Sequence, residues 1–140
     1  MAGLRVLGAA GLAVMLAAGP ALAANLVGTA ANLQGMDKVT ARISSFEATI
    51  GETIRFGNLE IVVRACRKRP PEEQPESAAY LEIHEIKAGK PRRKVFDGWM
   101  FASSPALSAM EHPVYDVWVV DCKVPGAAVP KTPKKAAKKP

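Results

Sequence analysis

Between residues 38 and 122 the chain is dominated by a two-residue alternation of apolar and polar side chains. Val39, Ala41 and Ile43 alternate with Thr40, Arg42 and Ser44, and a second run over 45–49 carries Phe46. This period, rich in β-branched residues, predicts strands. A turn at Ile50-Gly51-Glu52 leads to extended chain at 53–56, and Gly57-Asn58 marks a second turn. Over 59–66, Leu59, Ile61, Val63 and Ala65 fall on one face, with Glu60, Val62, Arg64 and Cys66 on the other. Short connections between such runs predict antiparallel neighbours.

The proline-rich stretch RKRPPEEQPES (67–77) interrupts regular structure, because Pro70, Pro71 and Pro75 each remove a backbone donor. A further strand is predicted over 78–86. There Tyr80, Ile83 and Ile86 suit a pleated surface, although the Ala, Leu and Glu content would also suit a helix. The basic loop KAGKPRRK (87–94) turns at Gly89 and Pro91. Val95, Phe96, Trp99 and Phe101 resume the strand, with a bulge expected at Asp97-Gly98.

Ser103-Ser104-Pro105 has the form of a hydroxyl cap followed by a first-turn proline. It predicts a helical turn over 105–110 that buries Leu107 and Met110 and plugs one end of the domain. The last strand, 114–122, carries apolar residues on both faces, which predicts a central strand covered on each side. Six or seven short strands with closely spaced turns and one helical turn predict an all-β fold, a small β-sandwich or barrel-like domain.

Cysteine usage adds one constraint to this picture. Cys66 and Cys122 are the only two cysteines, and each ends a strand. The N-terminus supplies the compartment. Residues 1–24 carry Arg5, an apolar run over 6–18, a Gly19-Pro20 break and Ala21-Leu22-Ala23, the pattern of a secretory signal peptide. The apolar run is shorter than the roughly 20 residues that a membrane-spanning helix needs. A periplasmic chain, released rather than anchored and without a lipid-accepting cysteine at the cleavage site, is therefore expected. An even cysteine count in an oxidising compartment predicts one disulfide, Cys66–Cys122. The alternative, a metal site sharing His84 and His112, matches no zinc spacing.

Charge is unevenly placed. The whole chain is formally +6. With Arg5 and the six lysines from Lys123 onward set aside, residues 25–122 hold 12 basic and 13 acidic side chains, a net −1. The high pI thus belongs to the C-terminal segment of Lys, Pro and Ala, whose composition predicts a disordered tail over 124–140. The division expected is a signal peptide (1–24), a flexible lead-in (25–36), one β domain (37–123) and that tail.

Three stretches, VTARISSFEATIGETIRFGNLEIVVRAC, the RPPEEQPE loop and GWMFASSPALSAMEHPVYDVWVVDC, resemble a family of exported alphaproteobacterial proteins, domain of unknown function 2155. The resemblance covers about 37–123. It implies an envelope protein and no particular activity.

Candidate chemistry is sparse. Ser103 or Ser104, His112 and Asp116 or Asp121 are the types of a hydrolase triad, but no Gly-x-Ser-x-Gly elbow or Ser-x-x-Lys pair accompanies them. Glu82 with His84, and Glu111 with His112, are the acid–base or metal pairs available. No cofactor is expected. Trp99, Phe101, Tyr115 and Trp118 are expected in the core, since aromatic residues supply the largest buried areas. Exposure of both tryptophans would instead make Trp99, Phe101 and Trp118 a partner surface or a stacking platform for a glycan. Lys131, Lys134, Lys135, Lys138 and Lys139, with Arg92 and Arg93, are candidate anion contacts.

The function expected is a non-enzymatic envelope binding or structural module whose cationic tail meets an anionic polymer, a lipid surface or an envelope protein. Nucleic acid is excluded by location. The rival is a small periplasmic hydrolase or metal-dependent enzyme using His112, His84 and nearby carboxylates.

Overall fold

A computed structural model of the protein describes Gly3 and residues 24–126. The expected signal peptide, apart from Gly3 and Ala24, and residues 127–140 lie outside the described residues, as do Lys131, Lys134, Lys135, Lys138 and Lys139. The described residues form eight strands: β1 (Leu26–Val27), β2 (Ala30–Asp37), β3 (Arg42–Thr49), β4 (Thr53–Phe56), β5 (Leu59–Lys68), β6 (Ser77–Glu85), β7 (Arg93–Phe101) and β8 (Tyr115–Lys123). One 3₁₀ turn, Pro105–Ser108, lies between the last two.

The strands make two antiparallel sheets. The larger runs β1-β5-β6-β7 with β4 also on β5, and the smaller runs β3-β2-β8. β1 and β4 share the outer edge of β5, at Arg67–Lys68 and Leu59–Val62 respectively. Between them, Gly51 N–H donates to Val63 O (2.8 Å) and Gly28 N–H to Cys66 O (2.9 Å), which closes the gap. Leu59, Ile61, Val63, Leu81 and Ile83 from the larger sheet meet Leu33, Val117 and Val119 from the smaller in a dry core. The fold is the all-β sandwich that the alternation predicts.

Two bulges decide where the disulfide goes. Along β5, Val63 pairs with Leu81 but Ala65 with Tyr80, so Arg64 is the extra residue. Along β8, Val119 pairs with Leu33 but Asp121 with Asn32, so Val120 is the extra residue. Each insertion reverses the facing of the residues beyond it. Strict alternation would place Cys66 opposite in face to Leu59, Ile61 and Val63, and Cys122 opposite to Val117 and Val119. The bulges turn both cysteines inward, to 0% and 2% exposure. They are bonded, with a Cα–Cα distance of 5.7 Å, and clamp the two sheets together.

The structure departs from the alternation elsewhere. Residues 25–36, expected as a flexible lead-in, form β1 and most of β2, the middle strand of the smaller sheet. The inward residues of β2 include Ala31 and Gly35, too small to show an apolar period. A Cβ on Gly35 would lie 2.7 Å from the Phe56 ring, so only glycine leaves room for that ring. Residues 38–41 turn instead of beginning a strand. Asp37 accepts the N–H groups of Val39 (2.8 Å) and Thr40 (3.2 Å), and Ala41 takes a left-handed φ of 56°.

The turn at 50–52 carries the chain from the smaller sheet to the larger, so β3 pairs with β2 and not with β4. The bulge expected at Asp97-Gly98 falls at Val95, between the pairs Ile83–Phe96 and His84–Lys94. β8 is an edge strand and not a central one, with Trp118 half-buried on its outer side and Val120 exposed. The helical turn is a single 3₁₀ turn without a side-chain cap from Ser104, and it buries none of its own residues. Leu107 points outward, while Met110, reached in extended chain, enters the core.

Candidate functional site

Three places on the sandwich gather polar side chains, and β6 reaches all of them. At the disulfide end, where β5, β8 and the start of β6 converge, Asp121 accepts from Lys68 Nζ (2.9 Å), from Ser77 Oγ (2.8 Å) and from the N–H of Cys122 (2.8 Å). Burial opposes ionisation of Asp121, but the bonds from Lys68 and Ser77 outweigh it and hold the carboxyl below its ordinary range. Nearby, Glu76 accepts the Ser103 hydroxyl and the N–H groups of Ser77 and Ser103. Burial again opposes, and the Ser103 bonds dominate, so Glu76 also stays ionised to lower pH.

These groups line a cleft of about 800 Å³ whose apolar wall comes from Leu26, Pro70, Pro71, Pro75 and Val120. Gly126, from which the basic C-terminal segment continues, lies on its rim.

At the opposite end, His112 is buried between the sheets. Its Nδ1 accepts the N–H groups of Val114 and Tyr115 (both 3.1 Å), which leaves the proton on Nε2 to donate to Glu85 Oε1 (2.8 Å). Glu85 also meets Lys87 (3.0 Å) and Arg93 (2.8 Å). Hydrogen bonds from His112 and then Lys87 lower its pKa to about 2, with burial opposing and Arg93 assisting. The Tyr115 ring stacks on the imidazole at 5.4 Å, and Phe56 packs edge-on against Tyr115. Both imidazole nitrogens are engaged within the chain, so His112 acts here as a cross-brace between β6 and the start of β8.

On the outer face of the larger sheet, Tyr80 packs edge-to-face on Trp99 with ring centroids 5.6 Å apart. Its hydroxyl donates to Asp97 (2.6 Å), which also accepts from Lys94 (3.0 Å). The Tyr80 bond is the main cause that holds Asp97 below its ordinary range, and the same bond raises the Tyr80 phenol.

The candidates from sequence are dispersed over the fold. Ser103 bonds Glu76, His112 bonds Glu85, Asp116 bonds Lys38 (3.2 Å) and Asp121 bonds Lys68, so the triad residues are not brought together. His84 and Glu82 share the outer face of β6, where His84 Nδ1 meets Arg92 (3.2 Å) and Glu82 meets Arg64 (3.0 Å). His84 and His112 are therefore on opposite faces of the sheet. Among the described residues no three His, Cys, Asp or Glu side chains converge as metal ligands.

Arg92 and Arg93 are drawn to carboxylates of the domain, Glu60 (3.3 Å) and Glu85. They line a hollow of about 410 Å³ with Lys87 and Lys90. Trp99, Phe101 and Trp118 do not join the core as expected. The first two sit on the outer face of the larger sheet and Trp118 on that of the smaller, its Nε1–H donated to Gln34 Oε1 (3.1 Å). Tyr115 alone of the four packs against the core. The Tyr80–Asp97 and Lys68–Asp121 pairs went unseen in the sequence, because only strand register brings them together.

Residues 31–122 match a sequence family described as an uncharacterized protein conserved in bacteria, DUF2155. The chain belongs to that family. The matched DUF2155 span contains both cysteines, Glu85, Trp99, His112 and Trp118, and stops before the basic C-terminal segment. A relative, "Uncharacterized protein RP359" of the alphaproteobacterium Rickettsia prowazekii (strain Madrid E), is 32% identical over 87 residues, covering 62% of this chain and 56% of that protein. The chain thus spans little more than half the length of that relative. No solved structure matches. Among the described residues of this DUF2155 member, no helix is long and apolar enough to cross a membrane.

Proposed function

We propose that this DUF2155 chain is a binding module of the periplasm and cell envelope, without catalytic activity of its own. In this reading the cleft beside the Cys66–Cys122 bridge seats a segment of an envelope partner. The lysines of the C-terminal segment hold the module against an anionic polymer or lipid surface. The observation that carries the reading is the cleft itself. It is an open hollow of about 800 Å³ at the covalently clamped end of the sandwich, apolar on one wall, with the basic segment continuing from its rim. Three carboxylates line it, and two of them, Glu76 and Asp121, are held in hydrogen bonds within the chain, an arrangement that for those two suits shape and not proton transfer. A buried disulfide supports an oxidising compartment.

Attraction between the five lysines of residues 124–140 and a polyanion falls steeply with salt. Purified protein is therefore expected to sediment with cell-wall sacculi or anionic vesicles at low ionic strength, and to be released by salt or by removal of residues 124–140. Retention that ignores both salt and truncation would refute the electrostatic part.

A further inference from the structure

We infer that the outer face of the larger sheet, centred on Trp99, is a platform for an uncharged glycan strand. The register of β6 and β7 builds this face in rows. Ala78 is opposite Phe101, Tyr80 opposite Trp99, and Glu82 opposite Asp97. Successive rows lie about 7 Å apart, two residues along a strand. One half of the face is thus aromatic and the next row is polar.

Trp99 is 38% exposed, a large apolar ring left in water on a sheet whose other side supplies the core. Its orientation is fixed by the edge-to-face contact with Tyr80, and Tyr80 is in turn tied to Asp97. A ring held this way loses little freedom on binding.

The polar row selects the class of ligand. Asp97 is paired with Lys94 and Glu82 with Arg64, two acids and two bases that balance within that row, while Arg67 lies opposite Ala78 at the edge of the aromatic row. A charged polymer finds no net attraction in the polar row itself. A flat apolar protein surface would strip water from four charged groups at once, which is costly. A sugar ring meets both halves. Its C–H face covers the electron-rich indole, while its rim hydroxyls donate to the remaining lone pairs of Asp97 and Glu82 and accept from Lys94 and Arg64. The clefts at the disulfide end and beside Arg92 do not include Trp99, and the ligand that suits an open sheet face is a strand laid across it and not an enclosed monosaccharide.

The platform rests on the binding-module reading and adds a ligand to it. The test uses a soluble tetramer of N-acetylglucosamine as probe, followed by tryptophan fluorescence. The Trp118→Phe variant leaves Trp99 as the only indole, and Trp118 lies on the other sheet with its N–H already bonded. The expected result is saturable quenching in Trp118→Phe that persists at high salt and without residues 124–140. In a sedimentation or calorimetric assay Trp99→Ala is expected to weaken binding about tenfold or more, and Trp99→Phe less. Unchanged far-ultraviolet dichroism of Trp99→Ala shows that the fold is kept.

Absence of quenching, tetramer binding indifferent to Trp99→Ala, or a Trp99-dependent self-association in place of tetramer binding would each overturn the platform. Salt-sensitive retention on vesicles without tetramer binding overturns the platform alone, and tetramer binding without such retention overturns the electrostatic reading alone.

Discussion

Replacing His112 with alanine removes a brace whose bonds can be counted. The imidazole satisfies two backbone N–H groups, those of Val114 and Tyr115, and supplies one donor to Glu85. Its side chain is 2% exposed, so water does not readily take its place. An orphaned buried N–H costs roughly 1–3 kcal/mol, and partial rehydration of the enlarged site recovers some of that. The expected loss is about 3 kcal/mol for the two N–H groups together, before any lost stacking on Tyr115.

Two further variants divide the effect. His112→Asn keeps a carbonyl oxygen near the position of Nδ1 and is expected to recover about half of the loss, whereas His112→Gln reaches toward Glu85 but abandons the turn. Urea unfolding followed by fluorescence gives the midpoint and slope for each. A His112→Ala midpoint indistinguishable from that of the parent, or an asparagine variant as unstable as the alanine one, would refute the bracing role.

Other expectations concern the clamp and the acid limb. Cys66→Ala with Cys122→Ala opens a loop between residues 56 apart in sequence, worth about 4 kcal/mol in the chain-entropy view. Thermal melts should then fall by roughly 20 °C, and a fall of less than about 5 °C would contradict a stabilising bridge. Deleting Arg64 removes the extra residue and should leave Ala65 opposite Tyr80 and Cys66 opposite Ala79, still facing the core. A thiol assay on the oxidised variant should then find no free thiol, and two free thiols would refute the reading of Arg64 as the bulged residue. Glu85 has a folded pKa of about 2 against an ordinary value near 4.5, so its contribution to stability is complete above 4.5 and is lost as pH falls toward 2. Glu85→Gln should flatten that limb of the stability–pH curve, and an unchanged slope would place the acid sensitivity elsewhere.

The legibility of each strand in the sequence depends on which face its residues needed. β5 and β6 announce themselves because inward positions such as Leu59, Ile61, Val63, Leu81 and Ile83 are large and most of their neighbours are polar. β2 is silent because Gly35 lies under the Phe56 ring and Ala31 is small, so a central strand carries almost no apolar period. The bulges at Arg64 and Val120 are silent for another reason. A single extra residue is settled by the ladder of the neighbouring strand, not by composition.

β8 reads as central because Trp118 and Val120 are apolar, yet one lies along Gln34 and the other is the bulged residue of an edge. The site suffers most from this. Tyr80 and Asp97 are 17 positions apart, and nothing short of the β6–β7 register puts the phenol on the carboxylate.

The claim on which the fold and its proposed envelope setting both depend is that Cys66 and Cys122, turned inward by two bulges, are covalently joined. It is tested most directly by isolating the protein from the envelope fraction of its host, trapping thiols with an alkylating agent without reductant, and mapping the peptides by mass spectrometry. The expected result is a single linked pair of peptides containing Cys66 and Cys122, with no alkylated cysteine. Recovery of both cysteines in alkylated form would contradict the clamp and the oxidising compartment together.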